Sequence, residues 1–186
     1  MRRKAMLAAT VVLVVASVTA GLANNGIRRI REFLNGHQEV PVISTTGKGT
    51  FTASINRAGD EISYRLKYSD LEGSITQSHI HFGPPNNTGG IAVWLCSNLA
   101  SPPTPAGVQP CPLPPLEGEI EGVITAANVV GPSAQGLDPG EFDDLLSAIR
   151  AGKTYVNIHS TKWPAGEIRS QIEHEDRDDH GGHDRH

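Results

Sequence analysis

The chain has 186 residues, and 16 Lys+Arg against 20 Asp+Glu leave it at −4 with histidines neutral, a length that suits one domain and hardly two. With no basic excess and only 5% aromatics, a nucleic-acid surface is not expected. The 38% hydrophobic content with 20 Gly and 13 Pro also excludes collagen, a multi-span membrane protein and a chain too polar to build a core, leaving a turn-rich globular chain of short strands.

Met1 to Ala23 reads as a secretory signal. Arg2, Arg3 and Lys4 form a cationic start, Ala5 to Val18 an apolar run, and Val18-Thr19-Ala20 or Gly21-Leu22-Ala23 a small-residue cleavage site. The apolar run is short of the roughly 20 residues that a membrane span needs, so export and removal are expected, with no membrane span left afterwards. A linker over 24–31 and a domain over 32–173 follow. Period-two alternation then recurs, the mark of half-buried strands. Strands are expected at Glu32–Gly36, Gly49–Asn56, Glu61–Ser69, Ile75–Phe82, Ile91–Leu95, Gly118–Thr125, Thr154–His159 and Glu167–Ile172, the second and third joined as a hairpin through Asn56 to Asp60. With no strand-helix-strand rhythm, the fold expected is all-β: an antiparallel Greek-key-like β-sandwich or flattened barrel of about eight strands.

Two interruptions are legible. Cys96 and Cys111 are the only cysteines, and outside the cytoplasm a lone pair so close is expected to form a disulfide, stapling the proline-crowded Ser101–Pro115 as an insertion between strands. One short helix is expected after an N-cap at Asp138 with Pro139 in its first turn. Its apolar stripe of Phe142, Leu145, Leu146 and Ile149 should plug one mouth of the strand assembly. The last residues, 174–186, hold no apolar side chain and are expected to form a disordered tail. Its His174, His180, His183 and His186 either scavenge Zn²⁺, Cu²⁺ or Ni²⁺ or only solubilise the end.

The chemistry centres on histidines. His79 and His81 flank Ile80, so the pleat puts both imidazoles on the face turned away from the core. In Tyr155-Val156-Asn157-Ile158-His159 the same parity turns Tyr155, Asn157 and His159 outward, and with Ile168 inward, Glu167 and Arg169 share that face. Residues two apart on a strand lie about 6.6 Å apart and cross-strand partners about 5 Å. If the two strands are neighbours, His79, His81 and His159 can close on one ion with bonds of about 2.0 Å. Glu167 would then orient an imidazole, complete the coordination, or only pair with Arg169 across an exterior sheet surface.

Leu34-Asn35-Gly36-His37-Gln38-Glu39-Val40-Pro41, His79-Ile80-His81-Phe82-Gly83-Pro84, Val156-Asn157-Ile158-His159 and Pro164-Ala165-Gly166-Glu167-Ile168-Arg169 occur in an order that resembles the CHRD domain, the module named after chordin. That resemblance, spanning about Glu32 to Ile172, implies an extracellular β-sandwich with no established reaction. The cysteine insertion and histidine tail depart from its plainest members. A weaker likeness to copper/zinc superoxide dismutase would make His79, His81 and His159 copper ligands, but the zinc-holding loop has no clear counterpart.

The expected function is therefore a secreted, extracytoplasmic binding module without catalytic residues, its metal ligands His79, His81 and His159, with Asn157, Glu167 and Arg169 beside them. Copper or zinc is the expected cofactor, and a metal ion or an extracellular protein the expected partner. A dismutase-like or hydrolytic metalloenzyme and a purely structural or adhesive module are the alternatives.

Overall fold

In the computed structural model, residues 29–173 apart from 102 are described. The expected signal at Met1–Ala23 and the expected tail at 174–186 lie outside the described residues. Eight strands, β1 (Arg29–Asn35), β2 (Lys48–Ile55), β3 (Ile62–Ser69), β4 (Ile75–Phe82), β5 (Gly90–Ser97), β6 (Gly118–Ile124), β7 (Thr154–Ser160) and β8 (Ile168–Ile172), form one sheet in the order β5-β4-β7-β8-β1-β2-β3-β6. All pairings are antiparallel. The strands curl into a nearly closed barrel rather than two separate sheets. Among the described residues no helix is long and apolar enough to cross a membrane.

Alternation does what the sequence leads one to expect where both sides of the pleat face different media. Ile62, Tyr64, Leu66 and Tyr68 of β3 are buried while Ser63, Arg65 and Lys67 are exposed, and the outward row is laced by Arg65 to Glu119 and Glu121 and by Lys67 to Glu119. The β2–β3 hairpin closes Ile55 against Ile62. Its turn is held by the Asn56 side-chain oxygen, which accepts from the N–H groups of Gly59 and Asp60. β1 starts at Arg29, ahead of the expected Glu32, because Ile30 continues the inward row of Leu34 and finds Ala53 across the ladder.

Helix α1 (Phe142–Arg150) starts later than expected. Gly140 adopts a left-handed φ of 90° and gives its N–H to Val129 O, so the chain is still turning where Asp138 and Pro139 were expected to open the helix. Asp138 instead donates its N–H to the Glu141 carboxylate, and Glu141 takes the cap position. Phe142, Leu145, Leu146 and Ile149 join the same apolar core as the strands.

The barrel has one seam. β5 and β6 end the strand order and share no ladder, and the insertion between them covers the gap. Cys96 and Cys111 are disulfide-bonded, and between them the Gln109 side-chain amide donates to Leu95 O of β5 at 3.0 Å and to Glu121 O of β6 at 3.1 Å. The bridge closes a loop of 15 residues, which by chain entropy stabilises the fold by about 3 kcal/mol. Replacing both cysteines by serine should lower the unfolding free energy from urea titration by that amount, move the midpoint down accordingly, and raise hydrogen exchange first along β5 and β6. An unchanged midpoint would show that the seam is held without the staple.

Candidate metal centre

Ile80 is 1% exposed and both Val156 and Ile158 are fully inside the barrel, so His79, His81, Tyr155, Asn157 and His159 lie on its outer wall. The register aligns them. Trp94, His79, Asn157 and Arg169 form one row across β5, β4, β7 and β8, while His81, Tyr155 and Gln171 form the next, and His159 stands opposite Gln77. The parity expected from Ile80 and Ile158 therefore brings all three histidines onto one wall.

The wall is not open to solvent, which corrects the expectation of an exterior polar surface. His79, His81 and His159 are 1%, 8% and 7% exposed, and Asn157, Glu167 and Arg169 are also buried. The segments 36–47, 83–89 and 161–167, which join β1 to β2, β4 to β5 and β7 to β8, fold across the strands as a roof. The segments 83–89 and 161–167 are pinned by side chains of the wall. His81 Nδ1 donates to Gly89 O at 2.9 Å, His159 Nδ1 donates to Pro164 O at 3.0 Å, and Arg169 donates to Asn87 O and Pro84 O. Gly166, at φ 138°, leaves space for the Glu39 carboxylate, into which a Cβ at that position would run. A period of two reports which side of a strand a residue takes; it carries nothing about a loop that later covers that side.

Those bonds decide the tautomers. A carbonyl only accepts, so His81 and His159 carry their protons on Nδ1 and present bare Nε2 atoms. His159 Nε2 lies 3.3 Å from His79 Nδ1, the separation that two nitrogens of a tetrahedral site with bonds of about 2.0–2.1 Å would show. His79 Nε2 and His81 Nε2 are buried without a hydrogen-bond partner among the described residues. One ligand atom from each of the three histidines can be chosen so that all lie within 4.8 Å of one another. Buried ring nitrogens without partners are costly, and a cation taken by His81 Nε2, His159 Nε2 and the one deprotonated nitrogen of His79 would offset that cost.

Electrostatics keep the rings in the ligating form. Burial, reinforced by the neighbouring His159 and His81, pushes the His79 pKa down to about 2. Burial also takes His81 to about 4 against the opposing pull of the Gly89 carbonyl, and lowers His159 against Pro164 O. All three are therefore neutral at neutral pH, as metal ligation requires. Their neighbours hold them sterically: Trp94 meets His79 edge-on at 4.3 Å, Tyr155 stacks parallel on His81 at 4.7 Å, and the Arg169 guanidinium lies 3.4 Å over the Tyr155 ring.

Glu167, the last residue before β8, is bonded to two other loops rather than to the imidazoles. Its Oε1 accepts from Thr45 Oγ1 at 2.8 Å and from the Glu72 N–H at 2.7 Å, and its Oε2 has no partner among the described residues. The described ion pairs include none between Glu167 and Arg169, and the acceptor that orients His159 is Pro164 O. Asn157 stands between His79 and Arg169 in the row, its Oδ1 without a hydrogen-bond partner among the described residues. Three participants escaped the sequence candidates: Trp94, Tyr155 and Glu39. Parity had already placed Tyr155 on this face beside Asn157 and His159, without marking it as a site residue. Glu39, 6% exposed and raised to about pKa 7 by burial against the pull of Arg169, had its signal in the motif Gly36 to Pro41, whose packing against Gly166 only the fold reveals.

A family model described as the CHRD domain matches residues 31–172. No curated protein and no solved structure matches the chain.

Proposed function

The chain belongs to the CHRD domain family, and on that premise we propose that it is a secreted binding module that holds one transition-metal ion, copper or zinc, through His79, His81 and His159. The observation that carries the proposal is the roofed imidazole cluster, with its ligand atoms within 4.8 Å and the Nε2 atoms of His79 and His81 buried without a hydrogen-bond partner among the described residues. Three neutral nitrogens suit Cu²⁺ or Zn²⁺ and leave a coordination position open for an exogenous ligand. Both cysteines are bonded to each other, so no thiolate competes. Export is supported by that disulfide and by the expected signal at Met1–Ala23.

Metal content should be measured on protein purified without a histidine tag or chelating column. About one Cu²⁺ or Zn²⁺ per chain is expected to survive dialysis, and replacing His79, His81 and His159 by Ala should weaken uptake by more than about a hundredfold. Trp94 supplies an internal probe. It lies 4.3 Å from His79, so in a Trp163→Phe background Cu²⁺ should quench the one remaining tryptophan in proportion to occupancy. Tight uptake that survives the triple replacement would end the assignment.

A further inference from the structure

We propose that the roofed triad selects the monovalent ion Cu⁺ over Cu²⁺ and Zn²⁺, and that Arg169 is the charge that disfavours the divalent ions. The inference rests on the triad being a metal centre and names the ion that centre is built for. Imidazole accepts zinc and copper alike, so ion charge and coordination number decide between them. The described hydrogen bonds of the three rings reach one another, Gly89 O and Pro164 O, and no carboxylate. Both cysteines are held in the disulfide. The ligand set among the described residues is three neutral nitrogens, with no anion bonded to them that would offset a second positive charge.

Burial widens the difference. The rings are 1%, 8% and 7% exposed, and the cost of taking an ion out of water grows with the square of its charge, about fourfold from Cu⁺ to a dication. Attraction to neutral imidazole dipoles grows only in proportion to the charge, so it offsets a smaller share of that cost for the dication. The fixed charge beside the rings has the same sign as the ion. Arg169 is 2% exposed and lies 3.4 Å over the Tyr155 ring, Tyr155 stacks parallel on His81 at 4.7 Å, and the guanidinium charge reaches His81. Bonds to Asn87 O, Pro84 O and Gln171 Oε1 hold the guanidinium in place. Two buried carboxyls stand nearby in the fold. Glu167 accepts from Thr45 and from the Glu72 N–H, and Glu39, which faces Arg169, is raised to about pKa 7 by burial and is only partly ionised at neutral pH. Coordination number points the same way. Zn²⁺ and Cu²⁺ complete their shells with at least a fourth ligand, which would have to enter beneath the segments 83–89 and 161–167, whereas Cu⁺ is complete with the three nitrogens that the cluster supplies.

The test measures Kd on the full chain at neutral pH: Cu⁺ without oxygen by competition with bicinchoninate, Cu²⁺ by competition with glycine, and Zn²⁺ by competition with a fluorescent chelator. Cu⁺ should bind about a hundredfold more tightly than either dication. Arg169→Gln should narrow that ratio about tenfold, while Arg169→Lys, which keeps the charge, should leave it as in the parent. Equal or weaker binding of Cu⁺ in the parent protein overturns the inference whatever becomes of the variants. An Arg169→Gln protein that keeps the parent's near-ultraviolet circular dichroism and the parent's ratio overturns the role of Arg169. His79→Gln separates this inference from the metal-centre assignment. If all three ions bind that variant as tightly as they bind the parent, the assignment fails and takes the inference with it; if it loses all three while the parent shows no preference for Cu⁺, the inference alone fails.

Discussion

Ile158→Asp is expected to leave the protein unfolded in buffer at neutral pH, with no cooperative transition by circular dichroism. Ile158 is fully inside the barrel, paired between Ser78 of β4 and Ile168 of β8. The substitution removes an apolar side chain worth about 2–5 kcal/mol in a packed core and puts a carboxylate there without a partner, costing several kcal/mol more. Together these approach the whole stability of an ordinary domain, about 5–15 kcal/mol. The neighbouring wall gives the control. His79→Gln alters the other side of the same sheet with a neutral side chain of similar reach and should leave a folded protein that has lost metal affinity. Exposed Arg65→Ala should change stability by no more than about 1 kcal/mol. An Ile158→Asp protein that unfolds cooperatively near the parent midpoint would mean that the interior has been placed on the wrong side of β7.

The metal-free protein should lose stability steeply in acid, and a bound ion should oppose that loss. His79 and His81 titrate near 2 and 4 in the folded state against an ordinary 6.5. Below pH 6.5 the unfolded chain thus binds the extra protons, and stability falls as pH falls, until it passes each folded value. Each ring costs about 1.4 kcal/mol per pH unit over its window, and lowered His159 acts in the same direction. Glu39 works the other way. Its folded value near 7 lies above its ordinary 4.5, so acidification between 7 and 4.5 favours the folded state by about the same slope and then stops. The two rings against Glu39 leave a net loss of about 1.4 kcal/mol per unit from pH 6.5 to 4.5, and about twice that from 4.5 to 4. Urea midpoints in EDTA across pH 4–8 check this. Glu39→Gln should steepen the upper part of the limb and His79→Gln should flatten the whole of it. Zn²⁺ at a thousand times its Kd should add about 4 kcal/mol at pH 7.5 and progressively less as protons compete. Stability that rises steadily from pH 6.5 to 4.5 in the metal-free protein would show that the histidines are not buried in neutral form.

The roof also explains why a binding module would bury its ligands. Arg169 and His81 both bond the segment 83–89, and His159 bonds the turn at Pro164, so two of the three imidazoles that would grip an ion also fasten the cover. Ion binding at the proposed site would thereby be coupled to the order of these segments. A metal would polarise His81 and His159 and strengthen their donated bonds to Gly89 O and Pro164 O.

What could be read in advance follows from how far each physical signal reaches along the chain. Alternation in Ile62 to Tyr68, around Ile80 and around Ile158 is a property of neighbouring residues, and it was enough for the strands, the inward rows and the common side of His79, His81, Asn157 and His159. The pairing of Cys96 with Cys111 was equally local, lying 15 residues apart. The start of α1 was misplaced because the N–H of Gly140 answers to Val129 O, a partner that no helix-capping pattern contains. The sequence by itself thus determined the all-β class, the eight strands and the face on which the histidines emerge, since a pleat obliges side chains to alternate. Only the tertiary structure decided that β4 and β7 are adjacent, that three remote segments close over that face, and that Glu39, Tyr155 and Trp94 stand around the imidazoles. Burial of a polar face depends on contacts across more than a hundred residues of chain, such as Glu167 with Thr45, and no periodicity within a strand encodes them.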